Sequence, residues 1–277
     1  MLSRRAKLIF WMSRYLERSN FTSRLLITTS ELQLDLSLEN EISWKPLLTA
    51  MSLNKDYLRL NKKYSEKKII EFFISNKENH SSIINSLNYS KENSLIVRDI
   101  LPEQSILKLN ELLIRFNKTI NKKKSNKKNL KLLSNIIQGS QNFMYSTDLE
   151  MQRNIDYQFL GLGRFIERTD MLIRILQSQT LRSKQHKKGY EYLTLEWINI
   201  LKSISAFQAY RQHSKKDISI LDIIEFFLKT KIFPRSINWN LNQIERAIFR
   251  ISKKNDLRKN IKEIQRDVNK FKVKSDN

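Results

Sequence analysis

Arginine and glutamate side chains that recur at helical spacing are the groups in this sequence best suited to chemistry. Arg14, Glu17 and Arg24 are three and seven residues apart, so a helix would carry them on one face. Their largely apolar neighbours indicate partial burial, and a buried carboxylate beside guanidinium groups stays ionised. Such a glutamate is a poor general acid and is better suited to hold a cation. The full set of candidates for a polar or anion-binding site is Arg14, Glu17, Arg18, Arg24, Arg164, Glu167, Arg168, Arg174 and Arg235.

Two interpretations of this set remain open. Buried Arg–Glu pairs inside a helical bundle often fix the register of the helices, and such structural pairs also perturb pKa values. Alternatively, arginines at an interface between helices could grip a carboxylate or a phosphate with paired hydrogen bonds. Arg235 follows Pro234 at a predicted helix start, where an anion is favoured, although a role in capping the local turn is an equal alternative.

No recognised catalytic motif accompanies these residues. The sequence contains no H-E-x-x-H, P-loop or G-x-S-x-G pattern and no cysteine, which excludes disulfides, thiolate metal sites and a cysteine nucleophile. Gly161 and Gly163 form a G-x-G with no strand before it, which predicts close helix packing instead of a dinucleotide-binding turn. The histidines His80, His186 and His213 lack the spacing of metal ligands. We therefore predict no metal and no cofactor.

An internal repeat defines the elements that must position the candidates. RYLERSNFTSRLL at 14–26 matches RFIERTDMLIRIL at 164–176, and IIEFFISNKENHSSIINSLN at 69–88 matches IIEFFLKTKIFPRSINWNLN at 223–242. The order and spacing of these matches predict an all-α, multi-helix bundle that arose by tandem duplication and has two pseudo-symmetric halves. We expect one domain over 1–277, with copy one at about 1–120, a basic loop and connecting helix at 121–150, and copy two at 151–277.

Apolar periodicity predicts two long helices, at 4–34 and 151–182. Only four glycines and three prolines occur, which argues against a sandwich or a barrel. The lysine-rich segments 121–129 and 182–189 are predicted to be solvated loops. Shorter helices are predicted at 42–53, 66–75, 81–98, 103–119, 130–145, 190–213, 218–229, 235–253 and 257–273.

The charge is strongly positive, at +23. Such a charge is compatible with nucleic acid or an anionic membrane surface, but abundant lysine, asparagine and isoleucine are also typical of an AT-rich genome. The lysines concentrate in the predicted loops without interleaved aromatic residues, so we expect only weak, non-specific binding to nucleic acid. No segment approaches the run of about 20 apolar residues that a membrane span needs, and we expect a cytoplasmic protein.

Several sequence segments together resemble those of the bacterial alpha-E family, also called the domain of unknown function 403. They are MLSRRAKLIFWMSRYLERSN at 1–20, KENSLIVRDIL at 91–101, FLGLGRFIER at 159–168 and FPRSI at 233–237, and the resemblance extends over nearly the whole chain. It implies an all-α fold named for a recurring glutamate, which here would be Glu17 or Glu167.

The resemblance also implies a context. Members of the alpha-E family are commonly encoded beside, or fused to, a circularly permuted ATP-grasp protein, and often near transglutaminase-like proteins. The expected function is therefore a non-catalytic accessory role in an ATP-grasp-type system that forms peptide or amide bonds. The alternatives are an enzyme or small-anion-binding protein with a Glu/Arg site formed by both repeat copies, and a non-specific nucleic-acid binder.

Overall fold

A computed structural model describes residues 2–36, 39–120, 126–185, 190–214, 217–253 and 256–272. Within these ranges the chain forms thirteen helices and no strand, so the predicted all-α fold is confirmed. The helices are α1 (Leu2–Leu36), α2 (Asn40–Ala50), α3 (Asn54–Leu60), α4 (Glu66–Ile74), α5 (Ile83–Ile96), α6 (Glu103–Ile120), α7 (Asn126–Glu150), α8 (Ile155–Gln185), α9 (Tyr190–Ser203), α10 (Phe207–His213), α11 (Ile220–Lys229), α12 (Ile237–Ile251) and α13 (Asp256–Lys270).

The two longest helices, α1 and α8, pack against each other at the centre of the fold. Their contacts advance in the same direction along both helices, from Arg5 with Asp156 to Arg14 with Glu167. The helices therefore run parallel. This arrangement places equivalent turns of α1 and α8 side by side, including the turns that carry the candidate arginines and glutamates.

The shorter helices surround this central pair. α5 packs on α1 and α12 packs on α8, while α2 contacts α8 and α9 contacts α1. α7 pairs with α6 and also packs along α1. The core contains fully buried aromatic residues from both halves of the chain, among them Trp44, Tyr57, Phe72, Trp197, Tyr210 and Phe226.

Two predicted helices are interrupted by tight turns. The helix predicted at 190–213 is broken between α9 and α10 at Ser205, whose φ is 54°, and the helix predicted at 42–53 ends at Ala50, before Ser52 with a φ of 59°. A left-handed conformation is unfavourable for a residue with a Cβ. Neither serine is a residue that this conformation favours, so no local pattern of residues predicts either turn.

The two basic segments are more helical than expected. α7 begins at Asn126, inside the loop predicted at 121–129, and α8 continues to Gln185, inside the loop predicted at 182–189. Lysine, arginine and glutamine are good helix formers, so a run of charge does not by itself end a helix. Residues 121–125 and 186–189, which include His186, lie outside the described residues.

Gly163 lies where α8 packs closely against α1, as predicted from the G-x-G pattern. A Cβ built on Gly163 would collide with the carbonyl oxygen of Phe10 and would lie 3.0 Å from the Cβ of Ser13. A Cβ on Gly161 would meet only the ring of Phe165, at 3.3 Å. The central helix pair therefore depends on a residue without a side chain at position 163.

We expect Gly163→Ala to lower the free energy of unfolding by about 2 kcal/mol, because the added methyl group forces the two backbones apart. The matched substitution Gly161→Ala should be neutral or stabilise by up to about 1 kcal/mol, since alanine favours the helix and only a ring edge must move. Denaturant unfolding followed by circular dichroism measures both. Equal unfolding midpoints for the two variants would contradict this account of the helix crossing.

Candidate functional site

The central helices exchange two glutamate–arginine ion pairs. Arg18 donates from Nε to Oε1 of Glu167 at 2.6 Å and from Nη2 to Oε2 at 3.2 Å. Arg168 donates to Glu17 in the same way, at 2.7 and 3.2 Å. Both carboxylates are buried, with 3% of Glu17 and none of Glu167 exposed. The prediction that both glutamates are buried against arginines is confirmed. These arginines come from the opposite helix, however, and not from the helix face that carries the glutamate.

The first cluster consists of Glu167, Arg14 and Arg18, and we call it the Glu167 cluster. Arg14 donates from Nε to Oε2 of Glu167 at 2.6 Å, and its guanidinium lies over the ring of Trp11 at 5.0 Å. The guanidinium of Arg18 lies over Tyr15. Each cation of this cluster therefore bonds the carboxylate and also rests on an aromatic face, which is a favourable environment for a guanidinium.

The second cluster, which we call the Glu17 cluster, surrounds the other carboxylate with Arg24, Arg164, Arg168 and Arg235. Burial alone would raise the pKa of Glu17, but the charge and hydrogen bonds of Arg168, with Arg235 and Arg164 nearby, bring that pKa below its usual value. Glu17 is thus held as a carboxylate. It is unsuited to donate a proton near neutral pH.

Arg164 takes the position in the repeat that Arg14 takes in α1, but it bonds a different carboxylate. It donates from Nη1 and Nη2 to Asp148 at 3.0 and 3.2 Å, and its Nε is buried without a partner among the described residues. Burial disfavours the charge of Arg164, yet the bond to Asp148 raises its pKa overall. Sequence reasoning missed Asp148, because it lies in α7, outside the aligned parts of the repeat.

Arg24 and Arg174 also take matching positions, but their surroundings differ in charge. Arg174 donates from Nε to a carboxylate oxygen of Asp170 at 3.0 Å and contacts Oγ of Ser52. Arg24 donates from Nε to the amide oxygen of Asn20 at 3.0 Å and from Nη1 to Oγ of Ser205 at 2.7 Å. Burial, reinforced by repulsion from Arg168, lowers the pKa of Arg24.

Arg235 lies immediately before α12 and does not cap it. The N-cap is Ser236, whose hydroxyl accepts a hydrogen bond from the backbone N–H of Trp239 at 3.1 Å. Nη1 of Arg235 is shielded from solvent and has no hydrogen-bond partner among the described residues. Burial, with repulsion from Arg168, lowers the pKa of Arg235 to about 9, so the guanidinium remains charged at neutral pH.

The Glu17 cluster therefore holds more positive charge than its carboxylates neutralise. Arg168 is paired with Glu17 and Arg164 with Asp148, whereas Arg24 and Arg235 have no carboxylate partner in the part of the chain that the structure describes. Such a site is suited to bind an anion. In the described ranges there is no group of three or more histidine, aspartate or glutamate side chains that could hold a metal ion.

A further buried ion pair lies in a cavity between α1, α2, α8 and α9. Nη2 of Arg182 lies 2.5 Å from Oε1 of Glu196 in an ion pair, and Gln179 donates to Oε2 of the same carboxylate at 2.8 Å. Sequence reasoning placed Arg182 at the junction of the helix predicted at 151–182 and the loop predicted at 182–189, and it did not consider Glu196. The charges of this pair balance each other, so the cavity lacks the unmet charge of the Glu17 cluster.

Comparison with known proteins identifies a family but no characterised relative. The Alpha-E family model, described as a predicted alpha-helical domain with a conserved ER motif, matches residues 1–275. No curated protein and no solved structure matches the chain. In this chain the E-R dipeptides at 17–18 and 167–168 form the two exchanged ion pairs. No helix in the described part of the chain is long and apolar enough to cross a membrane.

We expect Glu17→Gln to lower the free energy of unfolding by about 3–5 kcal/mol at neutral pH, because the substitution leaves Arg168 without its charge partner. The pKa of Glu17 is lowered in the folded state, so its stabilising contribution is complete above its unfolded pKa of about 4.5 and is lost as pH falls through the lower folded value. The difference between parent and variant should therefore shrink at low pH. Thermal melts followed by circular dichroism between about pH 3 and pH 7 measure this difference.

The matched control is Glu225→Gln, which removes a half-exposed carboxylate that pairs with Lys229. Surface pairs of this kind contribute about 0.5 kcal/mol, so the control should melt close to the parent at every pH. A Glu17→Gln protein that melts like the control would rule out the structural role of this ion pair.

Proposed function

We propose, from the premise that the chain belongs to the Alpha-E family, that this protein is a helical binding protein whose ligand is a small anion held in the Glu17 cluster. The observation that carries the proposal is Arg235, whose shielded Nη1 lacks a partner beside Arg168 and Arg24. An unpaired buried charge is destabilising, so its presence favours a ligand that supplies the missing acceptors.

The accessibility of the cluster supports a ligand that arrives from solvent. Arg24, Arg168 and Arg235 are each partly exposed, whereas Glu17 beneath them is buried. Guanidinium groups offer several N–H donors in a fixed plane, which matches the oxygens of carboxylate and phosphate groups. The start of α12 beside Arg235 adds the positive end of a helix dipole.

We infer that the protein arose by tandem duplication and consists of two diverged repeat copies in pseudo-symmetric halves. The anion site is compatible with this origin. The reciprocal ion pairs, the two left-handed serines and the matched core aromatics all support this inference. Ser81 takes the place of Arg235 in the first copy, so the additional cation of Arg235 belongs to one half. In this account the Glu167 cluster is structural and the Glu17 cluster has acquired a ligand.

A binding function without catalysis also favours the accessory role in an ATP-grasp-type peptide or amide ligase system. The supporting observation is that Glu17 is held ionised by Arg168, which leaves the cluster without a proton donor near neutral pH. The partner class itself comes from the family resemblance and is analogy. A transglutaminase-like protein is the second partner that the resemblance implies.

We expect Arg235→Met to weaken sulfate binding by at least about tenfold, because it removes the guanidinium that lacks a partner. Isothermal titration calorimetry at constant ionic strength measures the affinity. Without sulfate the variant should be at least as stable as the parent, since an unpaired charge has been replaced by an apolar side chain of similar length.

The control for net charge is Arg98→Met, which removes an exposed arginine far along the chain from the cluster. It should bind sulfate like the parent. Equal sulfate affinity in Arg235→Met and the parent would overturn the proposed site.

The accessory role predicts that the chain co-purifies with a circularly permuted ATP-grasp protein from the same genome when both are expressed together. It also predicts that the chain alone does not hydrolyse ATP, because the sequence has no glycine-rich phosphate loop. Pull-down and a phosphate-release assay on each protein, alone and together, test both statements. Robust ATP turnover by this chain alone would favour the enzyme alternative.

A further inference from the structure

The net charge of the Glu17 cluster indicates how many negative charges its ligand carries. Four guanidinium groups, of Arg24, Arg164, Arg168 and Arg235, face two carboxylates, of Glu17 and Asp148, so the cluster has an excess of two positive charges. A monocarboxylate would neutralise only one of them. A group with two negative charges would neutralise both, and near neutral pH a phosphate monoester carries about −1.5 to −2.

The excess depends on one uncharged residue, Asn20. At the matching position of α8, Asp170 supplies Arg174 with a carboxylate, whereas Asn20 offers Arg24 only an amide oxygen. The amide is also required by its surroundings, because Nδ2 of Asn20 donates to the carbonyl oxygen of Ile137 in α7 at 3.3 Å. A carboxylate at position 20 would face that carbonyl oxygen without a proton to donate.

We propose that the Glu17 cluster selects a dianionic phosphoryl group, and that Asn20 determines this selectivity by leaving Arg24 without a carboxylate. This inference rests on the anion-binding function proposed above. It adds the class of ligand and the residue that sets it. No sequence motif indicates the class of ligand or the role of Asn20.

The hydrogen-bonding capacity of the site agrees with a phosphoryl group. Among the described residues Nη1 of Arg235 has no hydrogen-bond partner, and Arg24 uses only Nε and Nη1, so N–H donors of both guanidinium groups remain for a ligand. A phosphoryl group presents three acceptor oxygens and can bond two guanidinium groups at once, whereas a carboxylate presents two. Selectivity over carboxylates thus follows from both charge and the number of acceptors.

The test compares anions on the parent protein by isothermal titration calorimetry at constant ionic strength. The probes are acetate, inorganic phosphate and phosphoserine, of which the last two distinguish a free phosphate from a phosphate monoester. We expect phosphate or phosphoserine to bind at least about tenfold more tightly than acetate, since acetate leaves one charge unbalanced. Phosphoserine affinity should rise between about pH 5 and pH 7, as its phosphoryl group gains the second charge.

Variants test the role of Asn20. Asn20→Asp should weaken phosphoryl binding by at least about tenfold without removing any arginine, because the new carboxylate neutralises Arg24. The reciprocal variant Asp170→Asn should leave phosphoryl binding unchanged, since it alters only Arg174. If Asn20→Asp does not fold, as judged by circular dichroism, Arg24→Gln takes its place with the same expected loss.

Each outcome bears on a different statement. Absence of binding by all three probes overturns the proposed anion-binding function and this inference with it. Acetate that binds as tightly as the phosphoryl probes leaves an anion site in place but overturns the selectivity. A folded Asn20→Asp protein that keeps the parent's preference for the phosphoryl probes overturns the role of Asn20.

Discussion

The exchange of arginine and glutamate between α1 and α8 is the interaction on which the rest of the structure depends. Each glutamate is buried, so each needs an arginine from the opposite helix to remain ionised at low energetic cost. The requirement is met only when the helices run parallel and in register, with the E-R dipeptides of both at the same height. Gly163 and Ser13 allow the approach that this register demands. The orientation, register and spacing of α1 and α8 thus follow from the two E-R dipeptides and from the glycine at position 163.

The two clusters built on this exchange differ in part because the connecting helix α7 supplies groups to the Glu17 cluster. α7 packs along α1, supplies Asp148 to Arg164 and holds Asn20 as an amide through the carbonyl of Ile137. In the Glu167 cluster Arg14 and Arg18 both bond the carboxylate and rest on aromatic rings. The same dipeptide therefore belongs to a cluster with one cation in excess on one side and, with Arg24 and Arg235, to a cluster with two cations in excess on the other.

Much of the fold was predictable from the sequence, because helix periodicity is a local pattern and the repeated segments can be recognised by comparing the sequence with itself. The burial of Glu17 and Glu167 was predictable from the largely apolar residues around them in the sequence. The partners of the charged groups were not predictable in the same way, since Asp148 lies on α7, a different helix from Arg164, and has no repeat counterpart. The left-handed turns at Ser52 and Ser205 escaped detection because tertiary contacts, including the bonds from Arg174 and Arg24, hold a conformation that serine does not favour.

The central pair has a consequence for the order of folding during synthesis. α1 ends at Leu36 and α8 begins at Ile155, so a ribosome must add more than a hundred residues before the charges of α1 can meet their partners. Contacts between such distant segments slow folding, because the intervening chain must be ordered first. Until α8 emerges, Glu17, Arg14 and Arg18 lack their ion-pair partners, although α5 and α7 can already pack on other sides of α1. The nascent first half therefore exposes, until α8 is made, the surface of α1 that α8 covers in the folded protein, and transiently exposed apolar surface of this kind is prone to aggregation.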